Sequence, residues 1–220
     1  MSPWLFISDG RYPSEMNMGR DEALFEKVIS REIPGALRFY NWDRVAVTAG
    51  YHQKGFRLYD KDLDIPVLMR PTGGGAVLHS DDITFSVSAP LEGQFKGDIM
   101  AAYGMISHIF LKAFKVCGLE AGLLTHKSGF SSICFERGAQ LELQYMGRKI
   151  MGAAQMRKKE FFLLQGVIPL NVDRDLYKRV FGPEARPPAG IYEMLPEFPE
   201  KSFVEAVRKL MYQSISAGEI

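Results

Sequence analysis

Three consecutive glycines, Gly73 to Gly75, stand between two strand-like segments, "IPVLMR" at 65–70 and "AVLH" at 76–79. Glycine loses more conformational freedom on ordering than any other residue. Three in a row are therefore kept for one of two reasons: the backbone needs torsion angles that a β-carbon forbids, or something approaches the main chain more closely than a side chain allows. Whatever the chain folds into must place two strands around a tight, side-chain-free loop.

The flanking pattern fills in the rest. Met18, Leu24, Phe25, Val28 and Ile29 mark a helix over 14–31, with Ser14 as its expected cap and Pro34-Gly35 ending the run. "ALRFYNW" and "VAVTAGY" read as strands parted by a polar turn at Asp43-Arg44, and "IPVLMR" as a short buried strand. "ITFSVSAP" alternates Ile83, Phe85 and Val87 inward with polar residues outward. Ile99, Ala102, Tyr103, Ile106, Phe110, Ala113 and Phe114 follow helical spacing, with Asp98 as cap and Gly118 as stop, and place Cys117 in the core. Residues 140–170 read as a meander of three strands turning near Met146-Gly147 and Lys158-Lys159, and 199–215 as a closing helix. The sum is one α+β domain, a mixed and mostly antiparallel sheet with packed helices.

Composition narrows the function classes. Lys+Arg 27 against Asp+Glu 26 leaves no field that would favour nucleic acid or an anionic membrane. No basic-then-apolar leader opens the chain and no run approaches the roughly 20 apolar residues of a membrane span. Two cysteines without a CxxC and four scattered histidines give no metal spacing. A cytoplasmic protein with free thiols and no metal site is expected.

The loop fits none of the common phosphate-binding patterns. Ala76-Val77 stands where a Walker A motif needs Lys-Ser/Thr, and the glycines lead into a strand rather than the helix of a dinucleotide fingerprint. The downstream elements of a kinase are missing. A plain turn between strands is one reading. Against it, Arg70, Gly73 to Gly75 and His79 together place a cation, bare backbone and a polar ring at two strand ends, which suits a grip on a carboxylate, phosphate or carbonyl oxygen.

"MRPTGGGAVLH" (69–79), with "MGRKIMGAAQ" (146–155) after it, resembles the catalytic domain shared by biotin-protein ligases, lipoate-protein ligases and octanoyl or lipoyl transferases, in its lipoate branch. The resemblance covers nearly the whole chain: "SEMNMGRDEALFEK" is similar to the family's opening helix, and "SDDITFSVSAP" to the strand after the motif. It implies that residues 1–220 form one such catalytic domain. It also implies that Arg70, Thr72, Gly73, Gly74, Gly75, Ala76, His79, Gly152 and Ala154 bind the acyl group or an acyl-adenylate, and that Lys149 points into the same pocket to hold carbonyl or adenylate oxygens.

Within that family two chemistries remain. A ligase makes lipoyl-adenylate from ATP with magnesium, whereas an octanoyltransferase takes the acyl group from acyl carrier protein through a cysteine thioester and needs no cofactor. Cys134, fifteen residues before Lys149, resembles the nucleophile of the cysteine-dependent octanoyltransferases. A thiolate is a strong nucleophile, and Lys149 or His79 could help to form it. "DDITFS" is closer to the transferase form, Gly75 to the ligase form. The chain also ends at Ile220 without the accessory C-terminal domain of typical ligases.

The resemblance thus implies an acyltransferase, with Cys134 and Lys149 catalytic. The acceptor is a lysine of a lipoyl domain such as the glycine-cleavage H protein or a dehydrogenase E2 subunit. At an ordinary pKa near ~10.4 only about one such lysine in 2,500 is neutral at pH 7, so the pocket must deprotonate it. The alternatives are the catalytic half of a two-component ligase, which implies a separate accessory subunit, and a non-catalytic paralogue that binds acyl groups or carrier domains. Met69 in place of the family's first arginine, and Gln165 in place of its histidine, motivate the last.

Overall fold

The computed structural model describes residues 3–124, 131–136 and 141–217. Gln140, at the start of the expected meander, lies outside them. Five strands form the main sheet in the order β1 (Leu5–Tyr12), β2 (Ala36–Trp42), β6 (Asp81–Pro90), β11 (Phe161–Asn171), β10 (Gly152–Lys158). Only β1 and β2 run parallel in it; the other pairs are antiparallel. A three-stranded sheet orders β4 (Val67–Met69), β3 (Ala46–Ala49) and β5 (Val77–His79), and another joins β7 (Gly122–Leu123), β8 (Leu143–Tyr145) and β9 (Arg148–Lys149). The helices are α1 (Ser14–Ile29), α2 (Ile99–Val116), α3 (Arg174–Phe181) and α4 (Glu200–Ser216).

One face of the main sheet is the large apolar core. Ile83, Phe85 and Val87 point there as expected and meet α2 and α4; Phe85 stacks on Phe110 at 4.2 Å, and Phe114 packs on Phe203 at 4.6 Å. Asp98 caps α2 by accepting from the Met100 and Ala101 N–H groups, and Gly118 leaves the helix at φ +88°. Alone among the described helices, α2 is long and apolar enough by composition to cross a membrane, although its buried stripe is spent on this core.

The other face departs from the simple alternation. Thr84, Ser86 and Ser88 are buried as well, because α1 and the small β4–β3–β5 sheet cover them. The α1 stripe is correspondingly part polar: Asn17 and Asp21 are buried beside Met18, Phe25 and Val28. Fully buried Arg38 donates to Asp21 Oδ1 at 2.8 Å, Asn17 Oδ1 at 2.7 Å and Asp9 Oδ2 at 2.7 Å, while Tyr40 and Ser86 donate to Asp21. Buried charges persist only when paired in this way.

Several expectations need correction. Ser14 does not cap α1; Pro13 is the flanking residue and the Ser14 hydroxyl bonds Glu15 instead. β4 is a half-exposed edge strand, not a buried one, since β3 pairs with it on one side alone. Cys117 is the half-exposed C-cap of α2, outside the core's buried centre. The meander's middle strand is broken: β9 pairs with β8, then Ile150-Met151 cross over and β10 pairs with β11. The turns at Met146-Gly147 and Lys159 fall where expected, all three at positive φ.

Candidate active site

The glycine loop closes the small sheet and meets the segment that carries Cys134. Gly74 takes φ +86°, a region that side chains rarely adopt, so one reason for the run is torsional. The second reason is close approach, and the group that approaches is this chain's own backbone. A β-carbon on Gly75 would lie 2.6 Å from Cys134 N and 2.7 Å from Ser132 O. There the Ala76 N–H donates to Ser132 O at 2.8 Å and the Cys134 N–H to Ala76 O at 3.0 Å, forming a parallel bridge. Gly75 therefore has a local packing cause. Gly73 faces open space.

Arg70 is not a free anion grip. Its guanidinium is buried and donates to the Thr48, Gly73 and Gly75 carbonyls at 3.0, 2.6 and 2.8 Å, so it braces the loop. Burial pulls its pKa below the ordinary value, and the negative charge of a Cys134 thiolate acts the other way, which places the sulfur within electrostatic reach. Thr72 donates to Gln165 Oε1 at 2.9 Å, and Gln165 Nε2 donates to Asp21 Oδ2 at 2.8 Å. The residue that replaces the expected histidine thus ties the loop to the Arg38–Asp21 network.

Cys134 opens a short 3-10 turn, Cys134–Glu136, and is buried. Gly152 leaves room for it: a β-carbon there would lie 3.1 Å from Sγ. Lys149 Nζ donates to the Cys134 carbonyl at 2.9 Å, lies 3.9 Å from Sγ and pairs with Glu142 at 2.6 Å, both side chains being buried. Its ammonium sits at the turn, between the Cys134 carbonyl and Glu142, on the Cys134 side of the cavity. His79 does not reach for the sulfur either. Its ring stacks on Trp42 at 4.1 Å, with Nε2 at 2.9 Å from the Thr48 hydroxyl and Nδ1 at 3.2 Å from Asp82. Its role is support. Tyr103, from α2, faces the same group: burial, then the charges of Glu142 and a Cys134 thiolate, push its hydroxyl well above the usual phenol range.

These residues line a half-open cavity of about 30 Å³ between the main sheet and the small one. Cys134, Val77, Val167 and Gly152 wall one end; Met18, Tyr40 and Trp42 wall the other. Arg70, His79 and Ala154 line it between. Thr72 and Ala76 stand one hydrogen bond behind, on Gln165 and Cys134 respectively. Reading the sequence missed Glu142, Met18, Tyr40, Trp42 and Thr48 as site residues. A signal existed for Glu142, a lone carboxylate in the otherwise apolar "LEL" at the head of β8.

A cysteine at the wall of an apolar cavity, with an ion-paired lysine at its back and a glycine loop beside it, is an arrangement that can hold an apolar group next to a thiol. Residues 13–216 match the lipoyl protein ligase A/B catalytic domain, and the chain belongs to that family. The octanoyltransferase LipM of Carboxydothermus hydrogenoformans is 36% identical over 187 residues, 82% of this chain and 70% of that one. Among solved structures, the putative lipoate protein ligase from T. acidophilum with bound lipoic acid has a TM-score of 0.73 at 20% identity, covering 98% of this chain and 86% of that one. The structure of a bi-partite lipoate protein ligase and its E2 lipoyl domain from Thermoplasma acidophilum gives 0.68 at 18% identity, over 98% and 85%. At such identities these two structures speak to the fold alone.

Proposed function

We propose that this chain is an octanoyltransferase of protein lipoylation that carries the acyl group on Cys134. The observation that carries the reading is the seat of Cys134 Sγ at one end of an apolar cavity, 3.9 Å from Lys149 Nζ. Octanoyltransferase relatives over most of the chain support octanoyl transfer. The ATP-dependent ligase is disfavoured, since relatives at 34–36% identity over about four fifths of the chain are named octanoyltransferases.

In the first half-reaction the Cys134 thiolate attacks the thioester of octanoyl-acyl carrier protein. A carbon–sulfur bond forms to Cys134, the one to the carrier breaks, and the carrier leaves as a thiolate. In the second, the neutral amine of a lipoyl-domain lysine attacks the Cys134 thioester. A carbon–nitrogen bond forms, the carbon–sulfur bond breaks, and the amine's proton ends on the Cys134 sulfur. Thioester exchange is nearly isoenergetic, so the acyl group stays activated until the amine arrives. Lys149, in its ion pair with Glu142, supplies positive charge beside both tetrahedral intermediates. Arg70 and Gly74 hold the loop against the cavity, and no nucleotide or metal enters either step. H protein or an E2 lipoyl domain serves as acceptor, in the cytoplasm.

The test is transfer from octanoyl-acyl carrier protein to an apo lipoyl domain without ATP or magnesium. Acylated domain should accumulate with wild type and not with Cys134→Ala. Transfer that requires ATP and free octanoate would instead establish the ligase.

A further inference from the structure

The cavity is too small for the group assigned to it. About 30 Å³ of this half-open pocket holds roughly two waters, not eight carbons, so a chain that lies wholly inside it displaces part of the lining. The wall residues differ sharply in their freedom to move.

The cavity runs across the strands of the main sheet, from Gly152 on β10, past Val167 and Gln165 on β11 and Thr84 on β6, to Tyr40 and Trp42 on β2. Three inter-strand spacings make about 14 Å. An eight-carbon zigzag with bonds of about 1.5 Å and angles near 111° spans roughly 9 Å. A chain anchored on Cys134, at the β10 end, therefore reaches β6, two spacings along, with its end facing the wall formed by Met18, Tyr40 and Trp42. There Tyr40 is pinned by its hydroxyl to Asp21 at 2.9 Å, Trp42 by its indole N–H to Thr84 at 2.9 Å and by the His79 stack, and Gln165 by Thr72 and Asp21. Val77 and Val167, near the sulfur, are β-branched and stiff. Met18 is the exception. It is unbranched, it is buried against Tyr40 and Trp42, and among the described residues its side chain makes one hydrogen bond, a 3.6 Å contact from Gln165 Nε2 to its weakly accepting sulfur.

We infer that Met18 is the specificity-determining end stop of the acyl cavity: its side chain swings aside to admit the chain, and its bulk sets the length accepted. The inference rests on the thioester reading and deepens it. Trimming Met18 lengthens the cavity at a fixed anchor, and stiffening it blocks the outward swing.

The experiment measures initial rates of Cys134 acylation by quenched intact-protein mass spectrometry. Donors are acyl-acyl carrier proteins of six, eight, ten and twelve carbons. Wild type should peak at eight. Met18→Ala should move the peak to ten or twelve and raise the twelve-to-eight rate ratio at least tenfold, while Met18→Ile should lose the eight-carbon donor in favour of six. The urea midpoint of each variant controls for folding, and Met18→Leu, of similar volume, should keep its peak at eight whatever its absolute rate. An unchanged profile in folded Met18→Ala overturns the inference. If wild type acquires no adduct from any donor, the thioester reading falls by itself. Met18 is then judged by calorimetric binding of the free fatty acids of the same lengths to Cys134→Ala with and without Met18→Ala. A shift of the preferred length sustains the end stop, whereas no shift, or no binding, overturns it.

Discussion

Replacing Gly75 with alanine should cost about 2 kcal/mol and uncouple the nucleophile from its cavity. The new methyl would meet Cys134 N at 2.6 Å and the Ile133 carbonyl carbon at 2.7 Å, both backbone atoms that no rotamer can clear. If the Cys134 turn holds its place, the site bears overpacking strain of about 1–3 kcal/mol. If it retreats, the Ala76–Ser132 and Cys134–Ala76 hydrogen bonds are lost, at about 1 kcal/mol each. Either route gives a similar sum, which should lower a urea midpoint by roughly 1 M. Retreat also displaces Sγ, and a misplacement near 1 Å costs about 10²-fold in rate. Urea unfolding and the rate of Cys134 acylation read the two effects separately. Gly73→Ala is the internal comparison: nothing lies within 4 Å of its β-carbon position, so stability should hold within about 1 kcal/mol. A Gly75→Ala protein as stable and as fast as wild type would refute the close-approach argument.

Lys149→Met deletes the ion pair with Glu142 and the bond to the Cys134 carbonyl; single-turnover transfer should slow by about 10²–10³-fold, read by mass spectrometry of the lipoyl domain. Asp21→Ala leaves the buried Arg38 guanidinium with Asp9 as its remaining carboxylate, and should destabilise by about 3–5 kcal/mol in urea unfolding. Gln165→Leu strands the Thr72 hydroxyl and leaves Asp21 Oδ2 with the Tyr40 hydroxyl as its donor, a loss of about 1–3 kcal/mol in the same assay. The Tyr192 hydroxyl donates to Glu200, a bond that, with burial, pushes its pKa up to about 12. That contribution is complete below the ordinary phenol value near ~10 and is lost as pH rises through 12, so Tyr192→Phe should flatten the alkaline fall of the thermal midpoint.

What the sequence made legible follows its periodicities. The α2 stripe, the Ile83/Phe85/Val87 face and the turn at Met146-Gly147 depend on local spacing, and each stands where the pattern put it. Two elements left too little pattern to read. β1 turns polar after Ile7, because Asp9 serves Arg38 rather than the core, and α3 has eight residues and only Tyr177 and Val180 fully buried. The polar face of β6 looked exposed because nothing in "TFSVS" reveals that α1 and a second sheet lie over it. At the site, Cys134 and the loop were readable as motif residues. Arg70 as a brace was not, since a guanidinium bound to three carbonyls and one poised for an anion look alike in sequence. Met18 enters through tertiary packing alone, and Glu142 left only the lone carboxylate of "LEL" as a signal.

The central claim is that Cys134 carries the acyl group. Wild type and Cys134→Ala should be mixed with octanoyl-acyl carrier protein in the absence of ATP, quenched in acid and weighed intact. One octanoyl group on wild type, removed by neutral hydroxylamine and absent from the variant, is the predicted result. An adduct that survives hydroxylamine, or appears equally on Cys134→Ala, would contradict it.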